Sequence, residues 1–349
     1  MPPVNFLEAQ ASNRWRTFFL IFLLTAILVA LCLLLEISLA ERGPSYRFGG
    51  VVPAQGEKIP IALWAFGFSC LYALVSYFIG GRTILFAAGA RHADPTSLKE
   101  KTFINVAEEV AIAAGLPVPS LWILPDNDLN AFATGRDPAH AAIAVTEGLL
   151  DKLSRDELQA VVAHEMGHIR NRDILLMLYV ACMLGAMALI VELLLRLSRR
   201  GMVRGGGKRD GGGAIIFLLA GLIGWILGRL VAQFVAMAVS REREYLADAT
   251  SAELTRNPQS LVDALRKIHA SIQPTVVAHQ ATAPLFIDDP RGRAVNEREG
   301  KLADLLSTHP PMELRLRRLE QMAFANTKRD RAAQGLHPLT GEAMDPFTK

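Results

Sequence analysis

Cysteine and charge are both scarce in this chain. Its three cysteines, Cys32, Cys70 and Cys182, each lie inside an apolar run. That odd count in such places argues against a disulfide framework, and nothing resembles a cysteine metal site. Charged residues make up 20% of the sequence, less than the quarter or so usual in soluble domains, so an ordinary water-soluble globule is a poor reading. Neither sign of charge dominates, since 37 Lys+Arg against 34 Asp+Glu leave +3. The clustered basic excess of a nucleic-acid binder is therefore missing, and no nucleic acid is expected as a partner. There is no internal repeat. The glycine-rich stretch 201–213 lacks the Gly-Lys-Ser/Thr of a phosphate loop. What is abundant is apolar sequence, at 51% of 349 residues with a mean hydropathy of +0.26, which excludes a disordered chain.

The hydrophobicity is concentrated in four segments. Thr17 to Leu35 and Pro60 to Gly81 carry no charge. Ile174 to Val191 is also uncharged and continues past Glu192 to Leu197, while Ala214 to Ser240 is interrupted by Arg229. A helix needs about 20 apolar residues to cross a bilayer, so these read as four membrane segments. The first is long for a signal-peptide core, which favours an uncleaved anchor, although Ser38-Leu39-Ala40 would serve as a cleavage site. Between and after them lie soluble blocks. Ser97 to Gly115 reads as an amphipathic helix closed by its glycine, and Ser120–Leu124, Asn130–Thr134 and Ala141–Thr146 read as short strands. Ser154-Arg155-Asp156-Glu157 is a capping box, and the helix it starts meets no breaker before Gly185, so it is expected to run into the third apolar segment. Residues 241–273 read as helical, 280–300 as an exposed loop and 327–349 as a loose tail. The expected fold is mainly α with a small β-sheet (α+β), built of transmembrane helices plus a catalytic domain. Its expected divisions are an N-terminal region 1–81, catalytic parts at 82–173 and 241–323, a hydrophobic hairpin 174–240 with a Gly/Arg loop at 199–213, and a flexible tail 324–349.

The chemistry lies in His164-Glu165-Met166-Gly167-His168. Residues four apart on a helix share a face, so both imidazoles can reach one ion, and imidazole suits zinc. Glu165, beside the ligands, can take a proton from a water activated by the ion and pass it to the leaving amine. A chain of this composition would show the pattern by chance on the order of once in a hundred times. The bland alternative is a helix with two core or solvated histidines. Zinc requires a third protein ligand and an open fourth position. Arg241-Glu242-Arg243-Glu244-Tyr245-Leu246-Ala247-Asp248 offers three carboxylates; Glu244 and Asp248 share a face, and spacing alone does not separate Glu242 from Glu244. The same alternation of Arg and Glu also suits a solvated helix face.

These motifs resemble the HtpX-type membrane zinc metalloproteases, relatives of the CAAX prenyl endopeptidases. The resemblance is carried by His164–His168 with Ile169-Arg170-Asn171-Arg172-Asp173, by Ser240 to Asp248, by Asn130-Ala131-Phe132-Ala133-Thr134-Gly135, and by Ser307-Thr308-His309-Pro310-Pro311 with Arg315. It covers roughly residues 60–320. It implies a zincin-like domain, one Zn2+ per chain, Glu244 as the third ligand and Glu165 as the catalytic base. It also implies a bacterial inner-membrane protease with its active site on the cytoplasmic side, acting on membrane proteins in quality control and stress response.

Other residues have narrower readings. Asp248 and Asn171 are candidates for holding the ligand side chains from behind. Asn130 and Ala131 open a strand whose edge could pair with an extended substrate, or which is simply an edge strand. His309 could stabilise the oxyanion of a tetrahedral intermediate, or merely pack its loop. The expected partners are polypeptides and the lipid bilayer; oligomeric state is not legible. Along continuous helices, His168 would lie roughly 9 Å and Glu244 roughly 6 Å from the neighbouring apolar segments, placing both arms of the site just above the bilayer on one side. The basic loop 199–213 pulls the other way, because the positive-inside rule would put it, rather than the site, in the cytoplasm. Two alternatives remain. One is a processing protease for lipid-modified C-termini, which would need a wider chamber than four segments enclose. The other is a zinc-stapled membrane adaptor or chaperone, which would have no use for Glu165.

Overall fold

The computed structural model describes Phe22 and residues 61–182, 241–271, 285–287 and 310–333. The first and fourth apolar segments, the Gly/Arg loop and His309 lie outside the described residues, Phe22 apart.

A long helix, α1 (Ile61–Ala87), enters the fold first. It is followed by β1 (Arg91–His92), α2 (Leu98–Ala114), β2 (Ser120–Leu124), β3 (Ala131–Gly135), β4 (Ala141–Thr146), the short α3 (Glu147–Lys152) and α4 (Arg155–Arg170). After the break come α5 (Arg241–Thr255), α6 (Pro258–Ala270) and α7 (Met312–Ala333). The architecture is mostly helical with one small mixed sheet, ordered β1-β2-β4-β3. β2 and β4 run parallel, while β1 and β3 are antiparallel to their neighbours, which leaves β3 at an edge.

Local chemistry accounts for the helices nearest the centre. α2 begins after Ser97 and ends at Gly115, whose φ of 66° is the left-handed conformation glycine adopts without a Cβ penalty. α4 begins with the Ser154 capping box: Ser154 accepts from the Glu157 N–H, and the Glu157 carboxylate accepts from the Ser154 N–H.

The sheet separates two layers of core. Ala141, Ile143 and Val145 of β4, with Ala131 and Ala133 of β3, face α2, α4 and α6. Ala142 and Ala144, with Phe132, face Leu85 of α1 and Met177 and Leu178 of the helical segment 173–182. This is period-two alternation on strands buried on both faces, and the small residues of β4 let both layers approach closely.

The structure corrects the sequence expectations at several places. The helix of α4 does not run on: it ends at Arg170, and Arg172 takes φ 60° before helix resumes at residue 173. The helical stretch expected over 241–273 is present as two helices, divided at Arg256 (φ 53°) just ahead of Pro258. The loop expected to be exposed contains Leu285, Phe286 and Ile287, all buried, and the expected tail is helical as far as Ala333. Counted over residues whose side chains are described, no helix is long and apolar enough to cross a membrane. α1 has 27 residues and no charge before Arg82.

Candidate metal centre

α4 and α5 pack face to face, and glycine makes this possible. A Cβ on Gly167 would stand 3.1 Å from the Cα of Ala247 and 3.2 Å from the Cβ of Thr250. The glycine inside the histidine motif thus lets α5 lie close enough for Glu244 to face both imidazoles.

His164, His168 and Glu244 each offer one ligand atom, and these atoms lie within 4.8 Å of one another in a buried cluster. Nε2 of His164 is 3.7 Å from Oε2 of Glu244, and Nε2 of His168 is 3.5 Å from Oε1. Those separations are too long for good hydrogen bonds. They approach the roughly 3.3–3.4 Å between two ligand atoms on a tetrahedral zinc with bonds near 2.05 Å. Moreover, Nε2 of His164 is fully buried and has no hydrogen-bond partner among the described residues. Such an orphan is costly in a protein interior unless something else belongs there. Two imidazoles and one carboxylate, aimed at one point, suit zinc in donor type and number.

Each imidazole is held from behind by a carboxylate. Nδ1 of His164 lies 2.9 Å from Oδ1 of Asp248, and Nδ1 of His168 lies 3.5 Å from Oδ2 of Asp173. Asp248 is in turn clamped by fully buried Arg315, whose Nε and Nη2 donate at 3.0 and 2.7 Å. A third nitrogen of the same guanidinium, Nη1, is 3.5 Å from Glu244 and donates to the Ile287 carbonyl at 3.2 Å. Burial pushes the Asp248 carboxyl up, but Arg315 and His164 more than reverse this and hold it below the ordinary carboxylate range. Asp173 also faces the guanidinium of Arg243, at 3.5 Å.

Glu165 is 2% exposed. Burial pushes its carboxyl up, His164 and His168 draw it down, and the Ala133 N–H of β3 hydrogen-bonds it; the net direction is up. Burial opposes a charge on His168, but Asp173, Glu244 and Glu165 push it up to about 9, so a proton and a metal compete for this imidazole.

Asn171 caps the end of α4, and its buried amide has no hydrogen-bond partner among the described residues; Asp173, not Asn171, stands behind His168. Asn130 and Ala131 lie where β3 begins, with their backbone groups engaged within the chain. The Asn130 N–H donates to Thr146 Oγ1 and its carbonyl accepts from the Thr146 N–H. The Ala131 N–H donates to the Asn130 side chain, and the Ala131 carbonyl accepts from the Ile287 N–H at 3.0 Å. The sequence carries Asp173, Ala133, Arg243 and Arg315 within its motifs, but their spacing gave none of them a role at the ion. The signal for Arg315 was its place four residues after the two prolines; Ala133 acts through its backbone and left none.

A helix carrying His-Glu-x-x-His, facing a carboxylate on a neighbouring helix beside a small mixed sheet, defines a class, that of mostly helical metallopeptidases. Comparison with known proteins narrows it. Residues 97–323 match Peptidase family M48. The Protease HtpX homolog of Thermoanaerobacter pseudethanolicus is 44% identical over 261 residues, covering 74% of this chain and 83% of that one. The Protease HtpX homolog of Dictyoglomus thermophilum is 38% identical over 325 residues, covering 92% and 96%. A crystal structure of S. mikatae Ste24p aligns with a TM-score of 0.45 at 17% identity, over 90% of this chain and 67% of that one. The chain belongs to Peptidase family M48, among its HtpX-type proteases. It is a membrane-associated zinc metalloprotease, a hydrolase of peptide bonds.

Proposed function

We propose that His164, His168 and Glu244 hold one zinc ion and that Glu165 is the general base of an endopeptidase acting on membrane proteins. The observation that supports this most is the buried convergence of three ligand atoms within 4.8 Å. Bound there, zinc would supply Lewis acidity to an attacking water and to the scissile carbonyl. Glu165 takes the proton of that water and delivers it to the leaving nitrogen; burial raises its pKa, which favours its acting as the acid in the second half of the transfer. Asp248 and Asp173 keep the imidazoles oriented, and Arg315 keeps Asp248 charged. Substrate pairs in extended form along the edge of β3. With the Ala131 carbonyl engaged by Ile287 and the Ala133 N–H by Glu165, that pairing falls to the Ala133 carbonyl and to Gly135. His309 takes the oxyanion role.

α1 and the other apolar segments anchor the chain in the bacterial inner membrane, with the site on the cytoplasmic side and misfolded or regulatory membrane proteins as substrates. The intervening blocks, 82–173 and 241–323, form the catalytic zincin-like unit. The test is cleavage of an unfolded membrane protein in detergent by wild type and Glu165→Gln. The variant is expected to bind zinc at the wild-type level and lose at least 100-fold in kcat. Equal cleavage by the two would overturn the assignment.

A further inference from the structure

On the face of the sheet opposite the metal centre, a cavity of about 930 Å³ opens between α1, the strands and the segment 173–182. Among the described residues its lining includes Arg82, Arg136, His92 and His140 and no carboxylate. Arg82 is exposed and makes no ion pair or hydrogen bond with the described residues. Arg136 lies 5.2 Å from the centre of the Phe78 ring and 5.8 Å from that of Tyr77. Its partner Asp137 is 3.5 Å away and is shared with His140, at 2.8 Å. Thr134 also borders the cavity; its hydroxyl is fully buried and has no partner among the described residues. Two guanidiniums, of which only Arg136 has an acid partner among the described residues, and an unspent hydroxyl suit an anion with several acceptor oxygens. Beside the guanidiniums, Tyr77, Phe78, Leu85 and Leu178 give the cavity a largely apolar lining. The ligand that satisfies both kinds of lining is an amphiphile.

Its position selects the kind of amphiphile. Arg82 is the first charged residue after the apolar run Pro60–Gly81. If that run lies in the bilayer, as the membrane reading above holds, Arg82 stands at the lipid–water boundary, where anionic headgroups meet basic pockets. We propose that this cavity binds the phosphate headgroup of an anionic phospholipid. Arg82 and Arg136 grip the phosphate, the Thr134 hydroxyl donates to it, and an acyl chain follows the aromatic wall of α1.

The full chain in nanodiscs of phosphatidylcholine, with and without a quarter of phosphatidylglycerol, tests this by thermal unfolding and by native mass spectrometry of the retained lipid. Phosphatidylglycerol is expected to raise the Tm by several degrees and to be retained at least tenfold over phosphatidylcholine. The variant Arg82→Gln/Arg136→Gln is expected to lose the preference while keeping its Tm in pure phosphatidylcholine, and Arg82→Lys/Arg136→Lys to keep most of the preference. Equal retention of the two lipids by wild type overturns the proposal, whatever the variants do. So does an equal rise in Tm from inorganic phosphate in pure phosphatidylcholine, which would make the ligand a soluble phosphate. Carbonate washing of native membranes separates this from the membrane reading. Release of wild type overturns membrane insertion, whereas retention without lipid preference overturns only the headgroup site.

Discussion

Arg315 is the residue on which the charges around the metal centre turn. It is fully buried, and it contacts Asp248, Glu244 and the Ile287 carbonyl. Removing one partner of a buried pair leaves the other charge uncompensated, which costs about 3–5 kcal/mol. Arg315→Met is therefore expected to lower stability by that amount in urea unfolding, and Arg315→Met/Asp248→Asn by clearly less than the two single losses added. Purely additive losses would show that the pair does not act as a unit. Glu157 supplies a second prediction. Burial opposes its ionisation, but Lys267 at 2.7 Å and the Ser154 N–H hold its pKa below the ordinary value. A depressed folded-state pKa stabilises fully above the unfolded value, near 4.3, and that stabilisation disappears as pH falls through the folded value. Because Lys267 is half-exposed, the contribution is about 1 kcal/mol. Glu157→Gln, which can still cap α4, is expected to lose it at pH 7 and to converge on wild type as pH falls below about 4.3 through the folded value; a difference that stays constant as pH falls would rule out the ionisation.

Between elements, the α4–α5 contact decides whether the three ligands meet. Gly167 faces the Ala247 backbone, three residues along α5 from Glu244. Gly167→Val places branched methyls where even one Cβ stands 3.1 Å from Cα. It is expected to reduce zinc affinity and kcat/KM at least tenfold while far-UV circular dichroism stays unchanged; wild-type affinity would mean that α5 can shift without moving Glu244. The histidine spacing, the capping box at Ser154 and the glycine stop at Gly115 were all legible in the sequence, because each is a local device acting within one turn. The break after Arg170 was not, since Arg172 at φ 60° is a left-handed residue that nothing in its side chain announces. That same break turns Asp173 back toward His168, so the missed turn and the missed carboxylate are one omission. Leu285-Phe286-Ile287 was hidden among Pro, Asp and Arg. It is buried because Phe286 packs on Phe132 at 5.0 Å and Ile287 donates to the edge of β3. Choosing Glu244 over Glu242 required the resemblance to a family, since both sit on one helix two residues apart.

At the scale of the whole molecule, one sheet has two different faces. One carries α4 and the proposed ion; the other meets α1 and the segment 173–182, which lead toward the apolar stretches. The proposed chemistry and the proposed anchorage would thus share β3 and β4. All of this depends on one ion held by two helices. Zinc per chain, measured by inductively coupled plasma mass spectrometry on the purified full-length protein, tests it most directly. The account requires one zinc in wild type and in Glu165→Gln, and its loss in His164→Ala, His168→Ala and Glu244→Gln. Zinc retained at full occupancy in the Glu244 variant, or lost from the Glu165 variant, would contradict it.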